Sequence, residues 1–219
     1  MKYRCLILDH DDTSVQSTPE IHYPAHLEVM RQLRPDHRPA SLNEWLIKNF
    51  SPGIMAYMTE ELGFSDEEID EEYRIWREHT EKRIPSFFPG FLEVLEDFKS
   101  RGGIITVVSH SEEDLIRRDY AASGAAHLPE LVFGWDMNEE KRKPHPYPVE
   151  QILSAYGLNR QEALIVDDLK PAVEMSLRSG VPIAGAGWGH SIPVIQDYME
   201  KNCLAYFRSI QEFRAFLFS

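Results

Sequence analysis

Residues 5–14 read CLILDHDDTS: four apolar residues followed by three aspartates within four positions. Carboxylates this close repel one another and resist ionising together unless a cation or a set of hydrogen-bond donors offsets them. Two readings are open. Asp favours turns and helix caps, so the run fits a turn after a buried strand. It equally fits a metal and phosphate site, with hard oxygen ligands for Mg²⁺ at the carboxyl end of a parallel strand. The rest of the chain decides between them.

Outward from this stretch, short apolar runs recur at 3–8 (YRCLIL), 102–109 (GGIITVVS), 130–134 (ELVFG), 162–168 (EALIVDD), 181–187 (VPIAGAG) and 202–207 (NCLAYF). They predict buried strands. Helical spacing fills most of the gaps: Phe91, Leu92, Leu95 and Phe98, then Leu115, Ile116 and Tyr120, then Ile152, Leu153 and Tyr156, then Met175, Leu177 and Val181. The alternation predicts an α/β fold with a Rossmann-like, doubly wound, mostly parallel sheet that binds ligands beyond the carboxyl ends of its strands. The Asp run, Ser109 and the pair Asp167 and Asp168 all stand at such ends.

Residues 15–87 break the alternation, with no convincing strand and several helical patterns. In SDEEIDEEYRIWREHTEKR, Ser65 and Glu68 form a capping box, and Ile69, Tyr73 and Trp76 follow at helical spacing with acidic residues on the other faces. That acidic run reads as a solvated helix face. SPGIMAYMTEELGF predicts another short helix whose Met and aromatic residues pack, and RIPSFFPGF marks the return to the sheet. The expected division is an α/β core of 1–14 and 88–219 with an inserted all-α module of 15–87.

Composition excludes several function classes. With 219 residues, 42% hydrophobic and 27% charged, the chain fits an ordinary globular protein. A formal charge of −13 argues against a general binder of nucleic acid or anionic membrane, which needs clustered Lys and Arg. A small phosphorylated metabolite stays open as a partner, because a local cation inverts the global sign. Cys5 and Cys203 suggest neither a disulfide framework nor a zinc site. The N-terminal apolar run is too short for a signal peptide and no later stretch approaches a membrane span, so a cytoplasmic protein is expected.

Three further features share the chemistry of the opening stretch: IITVVSHS ends on the Ser109 hydroxyl, KRKPHPYP holds Lys143 in a Pro-rich turn, and ALIVDDLKP ends on two carboxylates. Each alone has a bland reading, as a helix cap, a surface lysine or a turn. In this order they resemble the haloacid dehalogenase superfamily, specifically its phosphatases with a helical cap after the first motif, of the phosphoglycolate phosphatase and β-phosphoglucomutase-like kind. LILDHDDT matches the first motif, ITVVS the second, KPHPYPVEQILSAYG the third and LIVDD the fourth.

The resemblance implies an aspartyl-phosphate mechanism with Asp9 as nucleophile and Asp11 as general acid and then base. It implies Mg²⁺ held by the Asp9 side chain, the Asp11 carbonyl and Asp168, with Asp167 acting through water. It also implies that Ser109 and Lys143 complete a phosphate cage. His110, directly after Ser109 at the strand end, is a candidate substrate contact, with loop packing as the alternative. The chain departs from the family in having Asp12 where Gly is usual, Ser14 where an apolar residue is usual, and Ala172 where many members have a second Asp. Turn formation and helix capping are the expected roles of Asp12 and Ser14. His10 is expected to point away from the site by strand alternation. For His22, near the expected hinge, and His190, in the GWGHS loop, packing stands beside a place at the pocket. A sugar phosphomutase uses the same Asp9 and Asp11, and a non-catalytic phospholigand-binding protein could share the fold, although such members tend to lose the nucleophile. Halide removal is disfavoured because Asp11 is present. The sequence names no substrate.

Overall fold

The computed structural model describes residues 2–219. The chain forms two compact units: one runs up to Gln16 and resumes at Ser86, and the other is Ser17–Pro85.

The Ser17–Pro85 unit is helical, with α1 (Tyr23–Leu33), α2 (Leu42–Phe50), the short α3 (Ile54–Ala56) and α4 (Asp66–Lys82). Two capping boxes start α2 and α4. Ser65 Oγ accepts from the Glu68 N–H while the Glu68 carboxylate accepts from the Ser65 N–H, and Ser41 and Glu44 repeat the arrangement. Val29, Trp45, Tyr57, Met58, Phe64 and Ile75 form this unit's own core. The stripe expected on α4 is split: Ile75 is buried and Ile69 packs beside it, but Tyr73 is 43% exposed. Trp76 turns its indole N–H to His22 Nδ1, at 2.9 Å, so a polar partner decides where that ring lies.

The other unit is built on β1 (Cys5–Leu8), β2 (Ile104–Val108), β3 (Leu131–Phe133), β4 (Ala163–Asp167), β5 (Ile183–Ala186) and β6 (Ala205–Phe207). The sheet order is β3-β2-β1-β4-β5-β6 and every neighbouring pair is parallel. This is the doubly wound α/β class that the alternation predicts. Crossovers run through α5 (Phe91–Ser100), α6 (Glu113–Ala122), α7 (Tyr147–Tyr156), α8 (Lys170–Ser179) and α9 (Pro193–Asn202), and α10 (Ile210–Phe218) follows β6. Parallel strands covered on both faces read as continuous apolar runs, which is why Cys5 to Leu8 and Ala163 to Val166 are all buried.

Alternate residues of the central strands, Leu6 and Leu8, Ile105 and Val107, Leu164 and Val166, join Phe91, Leu95 and Phe98 of α5 and Phe213 and Leu217 of α10 in one cluster. Each such side chain contributes about 1.5–3 kcal/mol when fully buried. Leu8 is in register with Val107 on one side and Val166 on the other. One step further, β1 delivers Asp9 and β4 delivers Asp167, side by side at the point where strand order reverses. A crevice opens there in sheets of this topology. Among the described residues no helix is long and apolar enough to cross a membrane.

Candidate active site

The loop after β1 is wound tightly. His10 O accepts from the N–H groups of Ser14 and Val15, and the Asp12 N–H donates to Val15 O at 2.8 Å. Asp12 lies in the left-handed region at φ 55°, which Gly enters freely and Asp tolerates. Ser14 caps no helix. Its hydroxyl donates to Asp9 O at 2.7 Å, bracing the loop beneath the first aspartate. His10 points to the other face, where its buried ring engages Asp119 Oδ2 of α6 at 3.1 Å and Arg118 donates to the second oxygen of the same carboxylate.

Asp9 faces Lys143. The ammonium lies 2.8 Å from Asp9 Oδ1 and 2.8 Å from Asp167 Oδ2, and all three side chains are buried. Burial alone would lower the lysine's proton affinity, but the Asp167 and Asp9 carboxylates outweigh it and hold the ammonium charged. Asp168 joins them: among the described residues, Asp9, Asp167 and Asp168 form a cluster whose ligand oxygens lie within 4.8 Å of one another.

Lys143 offsets only part of this charge. Burial pushes Asp167 up to about 7, with Lys143 opposing and Asp9 adding to the shift. Burial, then the charges of Asp167, Asp9 and Asp12, push Asp168 well above the usual carboxylate range. Asp168 Oδ1 accepts from Thr13 Oγ1 at 3.2 Å, whereas Asp168 Oδ2 is buried without a hydrogen-bond partner. Crowded hard oxygens, one of them orphaned, suit a divalent cation, which would reverse the upward shifts.

Asp11 is held apart from this cluster. Ser111 Oγ donates to Asp11 Oδ2 at 2.6 Å, and Ser109 Oγ lies 3.5 Å from the same oxygen while accepting from the Ser111 N–H. His110 Nε2 lies 2.8 Å from the Lys143 carbonyl, tying the second motif to the third; burial and the Lys143 charge lower its proton affinity, with the Asp9 and Asp11 charges opposing. Two participants escape a reading of the sequence. Thr13 stands in the first motif without an assigned role, and Ser111 lies two residues beyond a strand end whose first serine already fits the motif. His22 belongs to the helical unit, where Trp76 is its partner.

A family model described as haloacid dehalogenase-like hydrolase matches residues 6–186. The chain belongs to the haloacid dehalogenase-like hydrolases. The resemblance drawn from the four motifs is therefore borne out, and the chain is an enzyme of the hydrolase class. It is 26% identical over 190 residues to the phosphoglycolate phosphatase of Aquifex aeolicus, covering 85% of this chain and 86% of that one. To the phosphoglycolate phosphatase of Haemophilus influenzae it is 21% identical over 211 residues, covering 90% and 92%. A haloacid dehalogenase-like family hydrolase from Streptococcus pneumoniae shares the fold with a TM-score of 0.77 at 17% identity, covering 99% of both chains.

Proposed function

We propose that this chain is a Mg²⁺-dependent phosphomonoester hydrolase acting on a small phosphorylated metabolite through an aspartyl-phosphate on Asp9. The observation that carries the reading is the unequal treatment of two neighbouring carboxylates. Asp9 is fixed by Lys143 beside Asp167 and Asp168, while Asp11 is held on serine hydroxyls outside that cluster. Environments that separate two carboxylates assign them different chemical tasks.

In the first step an Asp9 oxygen forms a bond to phosphorus and the bond from phosphorus to the leaving oxygen breaks, with Asp11 giving its proton to that oxygen. In the second, Asp11 takes a proton from water as the water oxygen bonds to phosphorus and the Asp9 oxygen departs. Lys143 and Ser109 would meet the phosphoryl oxygens with positive charge and a hydroxyl donor. Mg²⁺, held by the Asp9 and Asp168 side chains and the Asp11 carbonyl, with Asp167 acting through water, would neutralise charge on the transferring group.

The relatives' names make phosphoglycolate the first substrate to test, and the helical unit is proposed to serve as the cap. Purified protein is to be assayed for phosphate release from a panel of phosphomonoesters, phosphoglycolate and hexose phosphates included, with Mg²⁺ and with EDTA. Release that stops with EDTA and returns with Mg²⁺ is expected. Transfer of the phosphoryl group to a sugar without release would establish a mutase instead, and no turnover of any ester would overturn the reading.

A further inference from the structure

The loop between β5 and α9 is pressed against the loop after β1. Trp188 Nε1 donates to the Thr13 carbonyl at 2.9 Å, and Gly189 passes so close that a Cβ there would stand 2.7 Å from the Asp12 carbonyl oxygen. A glycine is therefore required for the approach, and the approach delivers the next residue, His190, to the end of β4. The His190 side chain is 6% exposed, and its Nε2 lies 3.9 Å from Asp168 Oδ2. Both atoms are buried and neither has a hydrogen-bond partner.

The tautomer follows from the other ring nitrogen. His190 Nδ1 accepts from the Ile192 N–H in a long contact of 3.5 Å, an arrangement that favours the neutral ring with its proton on Nε2. A donor thus faces an orphaned acceptor. The gap is wider than a hydrogen bond, yet too short for a bridging water, which at the tetrahedral angle spans about 4.6 Å with two ordinary bonds. Direct contact would pair the His190 donor with this acceptor, and leaving a buried donor unpaired is costly. Direct ligation of a cation fits less well. The protonated nitrogen has no lone pair to give, and the carboxylate cluster is formed by Asp9, Asp167 and Asp168 without His190.

We propose that His190 is a positioning residue of the cation site, closing its Nε2–H on Asp168 Oδ2 when a divalent cation binds. With Thr13 on Oδ1, it fixes the plane in which the carboxylate meets the cation. A carboxylate oxygen has two lone-pair directions, so a ligand oxygen can accept this bond as well. The inference rests on the reading of Asp9, Asp167 and Asp168 as that site. Outer partners of this kind change metal affinity by roughly 10–100-fold.

The test is Mg²⁺ affinity, measured by calorimetry on the full chain without substrate. His190→Leu is expected to weaken binding by roughly 10–100-fold, and His190→Gln, which offers an amide N–H at similar reach, to recover most of the loss. Wild-type affinity in His190→Leu overturns the inference, as does a His190→Gln variant as weak as His190→Leu. Asp168→Asn separates the two levels: if it retains Mg²⁺, the reading of the site falls, whereas loss in Asp168→Asn with none in His190→Leu removes only His190. Should His190→Leu fail to fold, ¹⁵N spectra of the wild-type imidazole decide. A proton on Nε2 whose resonance moves with Mg²⁺ supports the role, and a proton on Nδ1 overturns it.

Discussion

The Ser111 hydroxyl donates to Asp11 Oδ2 across 2.6 Å, linking the segment after β2 to the loop after β1. A carboxyl group that must deliver a proton to a leaving oxygen gains from having one oxygen held and the other left to carry the proton. Ser111→Ala is expected to lower kcat on an alkyl phosphate by roughly tenfold or more, the size of one hydrogen bond to a charged group. On p-nitrophenyl phosphate, whose leaving group needs little protonation, formation of the intermediate should suffer less, and Ser111→Thr should restore part of the loss. An equal loss in the rate of intermediate formation from both esters would remove Ser111 from the acid's support.

Asp9 and Asp11 are separable by trapping. Asp9→Asn should leave essentially no turnover, because the atom that bonds phosphorus is gone. Asp11→Asn should still form the intermediate from an activated ester yet fail to activate water, so the phosphoryl group accumulates on the protein. Mass spectrometry after a rapid acid quench reads this directly. Label on Asp9→Asn protein would show that the nucleophile lies elsewhere.

Lys143 is the cation in contact with two buried carboxylates. Lys143→Met leaves Asp9 and Asp167 without it, a change that costs about 3–5 kcal/mol where one partner of a buried pair is removed. Urea denaturation in EDTA should register the loss, and saturating Mg²⁺ should return part of it by binding the folded state. Unchanged stability in EDTA would show that the carboxylates stay protonated without the lysine.

The acidic cluster also sets a pH dependence. Asp167 has an ordinary value of 3.8 and sits at about 7 in the folded, cation-free chain. Between those limits the folded chain holds a proton that the unfolded chain has released, so this group makes cation-free stability fall as pH rises through the window. In EDTA, wild-type Tm should therefore drop relative to Asp167→Asn from about pH 4 to 7. With Mg²⁺ bound the carboxylate is deprotonated in the folded chain as in the unfolded one, so this slope flattens and the stabilisation gained from the cation grows as pH rises. An equal Mg²⁺-induced gain in Tm at both ends of the window would contradict this.

The sheet was legible because a parallel strand buried on both faces leaves an uninterrupted apolar run, and Cys5 to Leu8 and Ala163 to Val166 are such runs. The acidic ends were legible for the opposite reason, since three aspartates in four positions need an explanation. Ser111 was not, because a serine near a helix start looks like a cap and only the fold shows Asp11 beside it. Nor was the approach of His190 to Asp168, residues 22 positions apart, which depends on Gly189 skirting the Asp12 carbonyl. Tyr73 illustrates the limit of helical spacing: period identifies a face, but the neighbours available decide which rings that face covers.

The left-handed backbone at Asp12 has a consequence for how this chain tolerates change. The side chain is buried, yet the first filter on any replacement is a dihedral angle. In a saturation library at position 12, Gly and Asn should survive well. Val, Ile and Thr should be depleted, since holding an L-residue in this region costs roughly 1–2 kcal/mol and β-branching adds crowding. Mutational tolerance there would follow backbone shape before charge, and an aspartate would be seen to persist in place of glycine because it belongs to the small group of residues that the turn admits.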